Sequence, residues 1–186
     1  MYGFLLPAPN GVQPTLRLTL NAGYYLDVST PNWQANRAKF PNLAEQYKSL
    51  IAAIVADVTS RGIVMILDLH WNDDVTEQEE MALKGSGTAN TGDSLTFWRA
   101  ISARFANNPL VWYELYNEPH APSYDVWLNG NNRFEGMKAM AAAVRESNIK
   151  GMILVAGAFS FAYDADSLVQ FTRDAPVDRV LFVFHP

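Results

Sequence analysis

No cysteine occurs among the 186 residues, which removes disulfide frameworks and thiolate metal centres together, although it names no compartment. Histidine is almost as scarce, and His70, His120 and His185 stand too far apart for metal-ligand spacing. Basic residues are outnumbered, fourteen Lys and Arg against nineteen Asp and Glu. The resulting net charge of −5 argues against a nucleic-acid surface. No apolar run approaches a membrane span, and Met1 is not followed by the charged and apolar regions of a signal peptide. A glycine-rich turn directly after a strand, the usual cradle for a nucleotide, is also missing. Gly85-Ser86-Gly87 falls in a long loop instead. None of these features calls for a cofactor or a metal, nucleic acid or a membrane.

What is present suits a packed globular domain: 49% hydrophobic residues, 18% charged, and five tryptophans. The most informative segment is Trp112-Tyr113-Glu114-Leu115-Tyr116-Asn117-Glu118-Pro119-His120. Its aromatic residues favour a strand, and Pro119 cannot continue a ladder, so the strand ends with Asn117 and Glu118 at its mouth. A carboxyl beside an amide, ringed by aromatics, suits a general acid for glycosidic-bond cleavage. It equally suits a glutamate that caps the following helix.

Leu16 to Leu20 alternates apolar and polar and reads as a strand. From Ala44 to Arg61, the residues Tyr47, Leu50, Ile51, Ile54, Val55 and Val58 recur at helical spacing, and Gly62 ends the helix. Ile63 to Leu69 is a β-branched apolar run of the kind that parallel sheets bury on both faces. Asp93 or Ser94 caps a helix that stops at Asn107-Asn108-Pro109. Leu110 to Asn117 is a strand, about Asn132 to Ser147 a helix, Met152 to Ala156 a strand, Asp166 to Thr172 a short helix, and Val180 to Phe184 a last strand. Strand and helix thus alternate, which predicts a parallel sheet with crossover helices. The polar residues Asn21, His70, Asn117, Glu118 and His185 collect at the C-terminal strand ends, where (β/α)8 barrels carry their chemistry. A full barrel takes ~250 residues and eight strands. The expectation is therefore an α/β fold, a partial (β/α)8 TIM barrel with five parallel strands.

Period-two alternation places Trp112, Glu114 and Tyr116 on the face of Glu118, Asp68 on that of His70, and Arg17 with Thr19 and Asn21. Arg17, Asp68 and Glu114 then share a low inward layer in which their charges need one another. Arg17 is as well explained as a counter-ion to Glu114 or Asp68 as by a role in catalysis, and His70 as an imidazole bonded to a neighbouring carboxylate. The acidic run from Asp73 to Glu80 reads as a solvated loop.

Four segments, in order, resemble family 5 of the glycoside hydrolases, the cellulase-type retaining enzymes. Leu16-Arg17-Leu18-Thr19-Leu20-Asn21 is similar to that family's second strand with its arginine. Val64-Met65-Ile66-Leu67-Asp68-Leu69-His70-Trp71 is similar to its third, and Glu114-Leu115-Tyr116-Asn117-Glu118-Pro119-His120 to its fourth. Leu181-Phe182-Val183-Phe184-His185-Pro186 is similar to its sixth. The resemblance implies Glu118 as catalytic acid/base and Arg17, His70, Trp71, Asn117 and His185 as substrate-binding residues, without metal or cofactor. It implies a β-linked oligo- or polysaccharide as substrate and an extracellular setting.

In that family the nucleophilic glutamate ends the seventh strand, and a tyrosine follows the sixth-strand histidine; neither is found before Pro186. Tyr2-Gly3-Phe4 is the only trace of the loop after a first strand. Residues 1–186 are therefore expected to form a single incomplete barrel domain without the first, seventh and eighth strand units. Such a chain would be inactive alone and could self-associate through open barrel edges. Two other readings stand beside it: a sugar-binding pseudoenzyme, and a half-barrel that functions only with a complementary chain.

Overall fold

The computed structural model describes residues 14–28, 38–72, 81–84, 93–175 and 178–184. His185, the acidic run 73–80, the Gly85-Ser86-Gly87 loop and the Tyr2-Gly3-Phe4 segment lie outside them. The described residues form one sheet of five strands: β1 (Thr15–Asn21), β2 (Val64–Trp71), β3 (Val111–Glu114), β4 (Ile153–Ala156) and β5 (Val180–Val183). The strands lie side by side in chain order, and every neighbouring pair is parallel. A doubly wound sheet would reverse its strand order at a switch point; an unbroken progression is the winding of a barrel.

The helices are α1 (Ala22–Leu26), α2 (Leu43–Ser60), α3 (Ser94–Phe105), α4 (Tyr124–Asn129), α5 (Met137–Arg145) and α6 (Ala165–Asp174). Met65, Leu67 and Leu69 of β2 and Val111 and Tyr113 of β3 are fully buried in one core with Phe97, Trp98 and Ile101 of α3 and Met137, Met140 and Val144 of α5. Burying each large apolar side chain contributes about 1.5–3 kcal/mol, so this layer holds the sheet's outer face. Trp98 satisfies its indole by donating to the Leu115 carbonyl at 3.2 Å. The edges are less covered: Leu16 on β1 is 42% exposed, and Phe182 on β5 43%.

The structure shifts several expected boundaries. α5 begins at Met137, not near Asn132, because residues 130–135 turn back in antiparallel bridges, Gly130 to Glu135 and Leu83 to Phe134. Phe134 is buried by that bridge, and its apolar spacing imitates a helical turn. Leu50 sits at the margin of the apolar stripe of α2 and stays 58% exposed. The ladder of β3 stops at Glu114, yet the N–H groups of Leu115 and Asn117 still donate to Leu154 and Leu69 at 3.0 Å. The unexpected α4 is capped by Ser123, whose hydroxyl accepts from the Val126 N–H at 3.2 Å.

Gly151 lets the chain enter β4. A Cβ built there would lie 1.8 Å from the Val111 carbonyl oxygen, which is backbone and cannot move aside. Gly62 has a left-handed φ of +73° but open space around it. In urea denaturation, Gly62→Ala should cost about 1 kcal/mol from backbone strain. Gly151→Ala should cost about 3 kcal/mol or more. Equal losses would mean that the β3–β4 approach is looser than it looks.

Candidate active site

β1, β2 and β3 each deliver polar side chains to the inner face of the sheet. Their register sets Thr19, Asp68 and Glu114 in one row. Arg17 reaches across β2 to Glu114, donating from Nε to Oε2 at 2.6 Å and from Nη2 to Oε1 at 2.7 Å. The same Nη2 lies 3.2 Å from Asp68 Oδ2 and donates to Asn117 Oδ1 at 2.6 Å. Asp68 Oδ2 also meets His70 Nδ1 at 2.7 Å, and His70 Nε2 faces Asn117 Nδ2 at 3.4 Å. Asp68 and Glu114 are buried while Arg17 retains 31% side-chain exposure, so the cation stands between buried anions and the open side of the sheet. Burial opposes its charge, but the Glu114 hydrogen bond and the charges of Asp68, Glu114 and Glu118 outweigh that and raise the Arg17 pKa above its ordinary value.

The site therefore gathers Arg17, His70 and Asn117 in one network, and Glu118 stands close enough for its charge to act on Arg17. Trp71 is half-buried against His70, with ring centroids 4.0 Å apart. Asn72 fixes the end of β2: its amide donates to Ser94 Oγ at 2.6 Å and accepts from the Leu83 N–H at 3.2 Å. Asn21, expected among the strand-end polar residues, caps α1 by accepting from the Tyr24 N–H at 3.1 Å.

Alternation fails at one point. Glu114 and Asn117, three residues apart, both touch Arg17, and Tyr116 is fully buried, packed in the apolar core instead of lying with Glu114 on the inner face. The β3 ladder proper ends at Glu114, and Glu118 then adopts a left-handed φ of 41°. His120 closes this turn by placing Nδ1 3.3 Å from the Glu118 carbonyl, and its ring lies 4.7 Å from that of Phe161. His120 was readable from its place two residues after Glu118. Phe161 was not, because it depends on three consecutive left-handed residues, Ser160, Phe161 and Ala162, that no local motif announces.

The sequence matches the family model "Cellulase (glycosyl hydrolase family 5)" over residues 14–186. A probable endo-beta-1,4-glucanase B of Neosartorya fischeri is 27% identical over 142 residues, covering 76% of this chain and 40% of the relative. Among solved structures, Cel5A (EG2) of Hypocrea jecorina superposes with a TM-score of 0.60 at 21% identity, over 91% of this chain and 48% of that one. XacCel5A, solved in complex with cellopentaose, gives 0.56 at 22% identity, over 92% and 51%. The chain spans under half the length of the fungal relative and about half of the two structures. At those identities the structures bear on the fold alone, and the fold they share is the barrel of which these five strands are a part. Since the family match runs through every described strand, the chain belongs to glycosyl hydrolase family 5.

Proposed function

We propose that this chain is part of a retaining endo-β-1,4-glucanase in which Glu118 is the general acid/base. The observation that carries the reading is the strand-end network in which Arg17 and His70 hold the Asn117 amide immediately before Glu118. Protonated Glu118 would give its proton to the glycosidic oxygen as that bond breaks, while a second carboxylate ~5–5.5 Å away bonds to the anomeric carbon. Glu118, now ionised, would take a proton from the water that releases the sugar. Asn117 would donate to the 2-hydroxyl, a contact that strengthens in the transition state. Trp71, His70 and His185 would line the sugar site. A polymeric substrate is too large to enter a cell, so the site of action is extracellular.

The nucleophile is proposed to lie on a strand beyond these five. Asp68 and Glu114 are engaged by Arg17 and His70, and Asp164 caps α6 by accepting from the Asp166 N–H at 3.1 Å. The chain alone should therefore not turn over. Phe184 (50% exposed), with Leu16 and Phe182, favours a second state in which the open edges are covered, by further βα units of a barrel or by self-association.

The test is hydrolysis of soluble β-1,4-glucan and aryl β-cellobioside by the purified chain beside Glu118→Gln. No product from either is expected. Product from the parent that vanishes in the variant would place a nucleophile within these residues or on a partner chain. Product from both would remove Glu118 from its role.

A further inference from the structure

We infer that Asp68 is a positioning residue that decides which nitrogen of His70 carries the proton and, through that ring, how the Asn117 amide points. Donor and acceptor chemistry alone leads there. A guanidinium can only donate, so the Asn117 atom 2.6 Å from Arg17 Nη2 is its oxygen. That fixes the NH2 group on the other side of the amide, 3.4 Å from His70 Nε2. An NH2 group can only donate, so Nε2 must offer its lone pair. The ring hydrogen then sits on Nδ1 and is donated to Asp68 Oδ2 at 2.7 Å. The circuit closes because the same carboxylate oxygen lies 3.2 Å from Arg17 Nη2.

Four side chains thus close a circuit of three hydrogen bonds and one ion pair, in which Arg17 only donates and Asp68 only accepts. Asp68 is its hub: one buried oxygen receives both the arginine and the imidazole, the two groups that grip the amide from opposite sides. This tautomer is the less common one in water, where imidazole prefers its hydrogen on Nε2, so an acceptor must be built to hold it. Asp68 lies below the strand mouth and acts through His70 and Asn117, not on substrate. Its use in catalysis rests on the glucanase reading above; its effect on the ring does not.

The direct test is long-range 1H–15N NMR of the histidine rings in the whole chain, at a pH where His70 is neutral, with its signals identified by their loss in His70→Gln. The expected spectrum shows one His70 tautomer, protonated at Nδ1. Asp68→Ala should let the Nε2–H form appear. Asp68→Asn should restore the Nδ1–H form, because Arg17 forces the new amide's oxygen into the shared position. Glu114→Gln, which disturbs Arg17 but not the ring's acceptor, should leave the tautomer unchanged. A parent His70 protonated at Nε2, or an equal response to Asp68→Ala and Glu114→Gln, overturns the inference even if Asp68→Ala folds poorly. Cellopentaose titration is the second arm: Asp68→Ala should weaken binding about tenfold relative to Asp68→Asn, the worth of about one hydrogen bond. Failure of the parent to bind cellopentaose, with the tautomer pattern intact, would count against the glucanase reading and leave the role of Asp68 standing.

Discussion

In a polypeptide that carries these five strands together with the nucleophile's strand, Glu118→Gln should lower turnover of β-1,4-glucan by a factor of roughly 10²–10⁴, the ordinary worth of a placed general acid. The loss should depend on the leaving group. On the proposed role of Glu118, a sugar alkoxide needs the proton that this residue would supply, whereas a nitrophenolate leaves without it, so the first chemical step on an activated aryl cellobioside should be much less affected. Glutamine keeps the size of the side chain, which separates proton transfer from packing. The values of kcat/KM on the two substrates, which report the first step alone, decide the matter. Equal losses on both would mean that Glu118 orients the substrate without protonating it.

The second large effect is on stability. Arg17→Leu removes the cation from between two carboxylates that are 0% and 1% exposed, leaving anions in a site too dry to solvate them. Breaking a buried pair from one side costs about 3–5 kcal/mol; the partial exposure of Arg17 places the expected loss near the lower end, roughly 3 kcal/mol. Arg99 makes a bond of similar length to Glu146, 2.8 Å, but both partners are half exposed. Its replacement by Ala should cost less than about 1 kcal/mol. Urea midpoints of the two variants at low and high salt test the contrast, since the buried cluster is poorly screened. A loss for Arg17→Leu as small as that for Arg99→Ala would mean that water or a mobile neighbour solvates the carboxylates.

The pairing of Arg17 with Glu114 and Asp68 was legible because the two-residue period turns all three to the inner face, although the register sets Thr19 beside Asp68 and Arg17 reaches the pair from the row of Ile66 and Trp112. β2 was legible from its β-branched run, and α3 from Asp93, whose carboxylate accepts from the Thr96 N–H as an N-cap. The period stopped being a guide between Glu114 and Asn117, both of which reach Arg17. Carried past Glu114, it put Tyr116 on the face of Glu118, whereas the fold buries Tyr116 and brings Asn117 to Arg17. The short helices α1 and α4 escaped because each spans little more than one turn, too few residues for an apolar stripe to show. Their caps, Asn21 and Ser123, were the only local signal. The first turn expected of α5 was lost to tertiary structure, since the bridge from Leu83 to Phe134 pairs residues far apart in the chain.

The left-handed backbone of Glu118 bears on any attempt to improve this protein by selection. A glycine would hold φ = 41° with less strain, so the position is cheapest for the fold when the glutamate is gone. Libraries screened for heat resistance or expression alone would therefore drift toward losing Glu118 and would record the loss as an improvement. If Glu118 acts as proposed, only a screen coupled to sugar chemistry pulls the other way, and residue 118 is where the two pressures part.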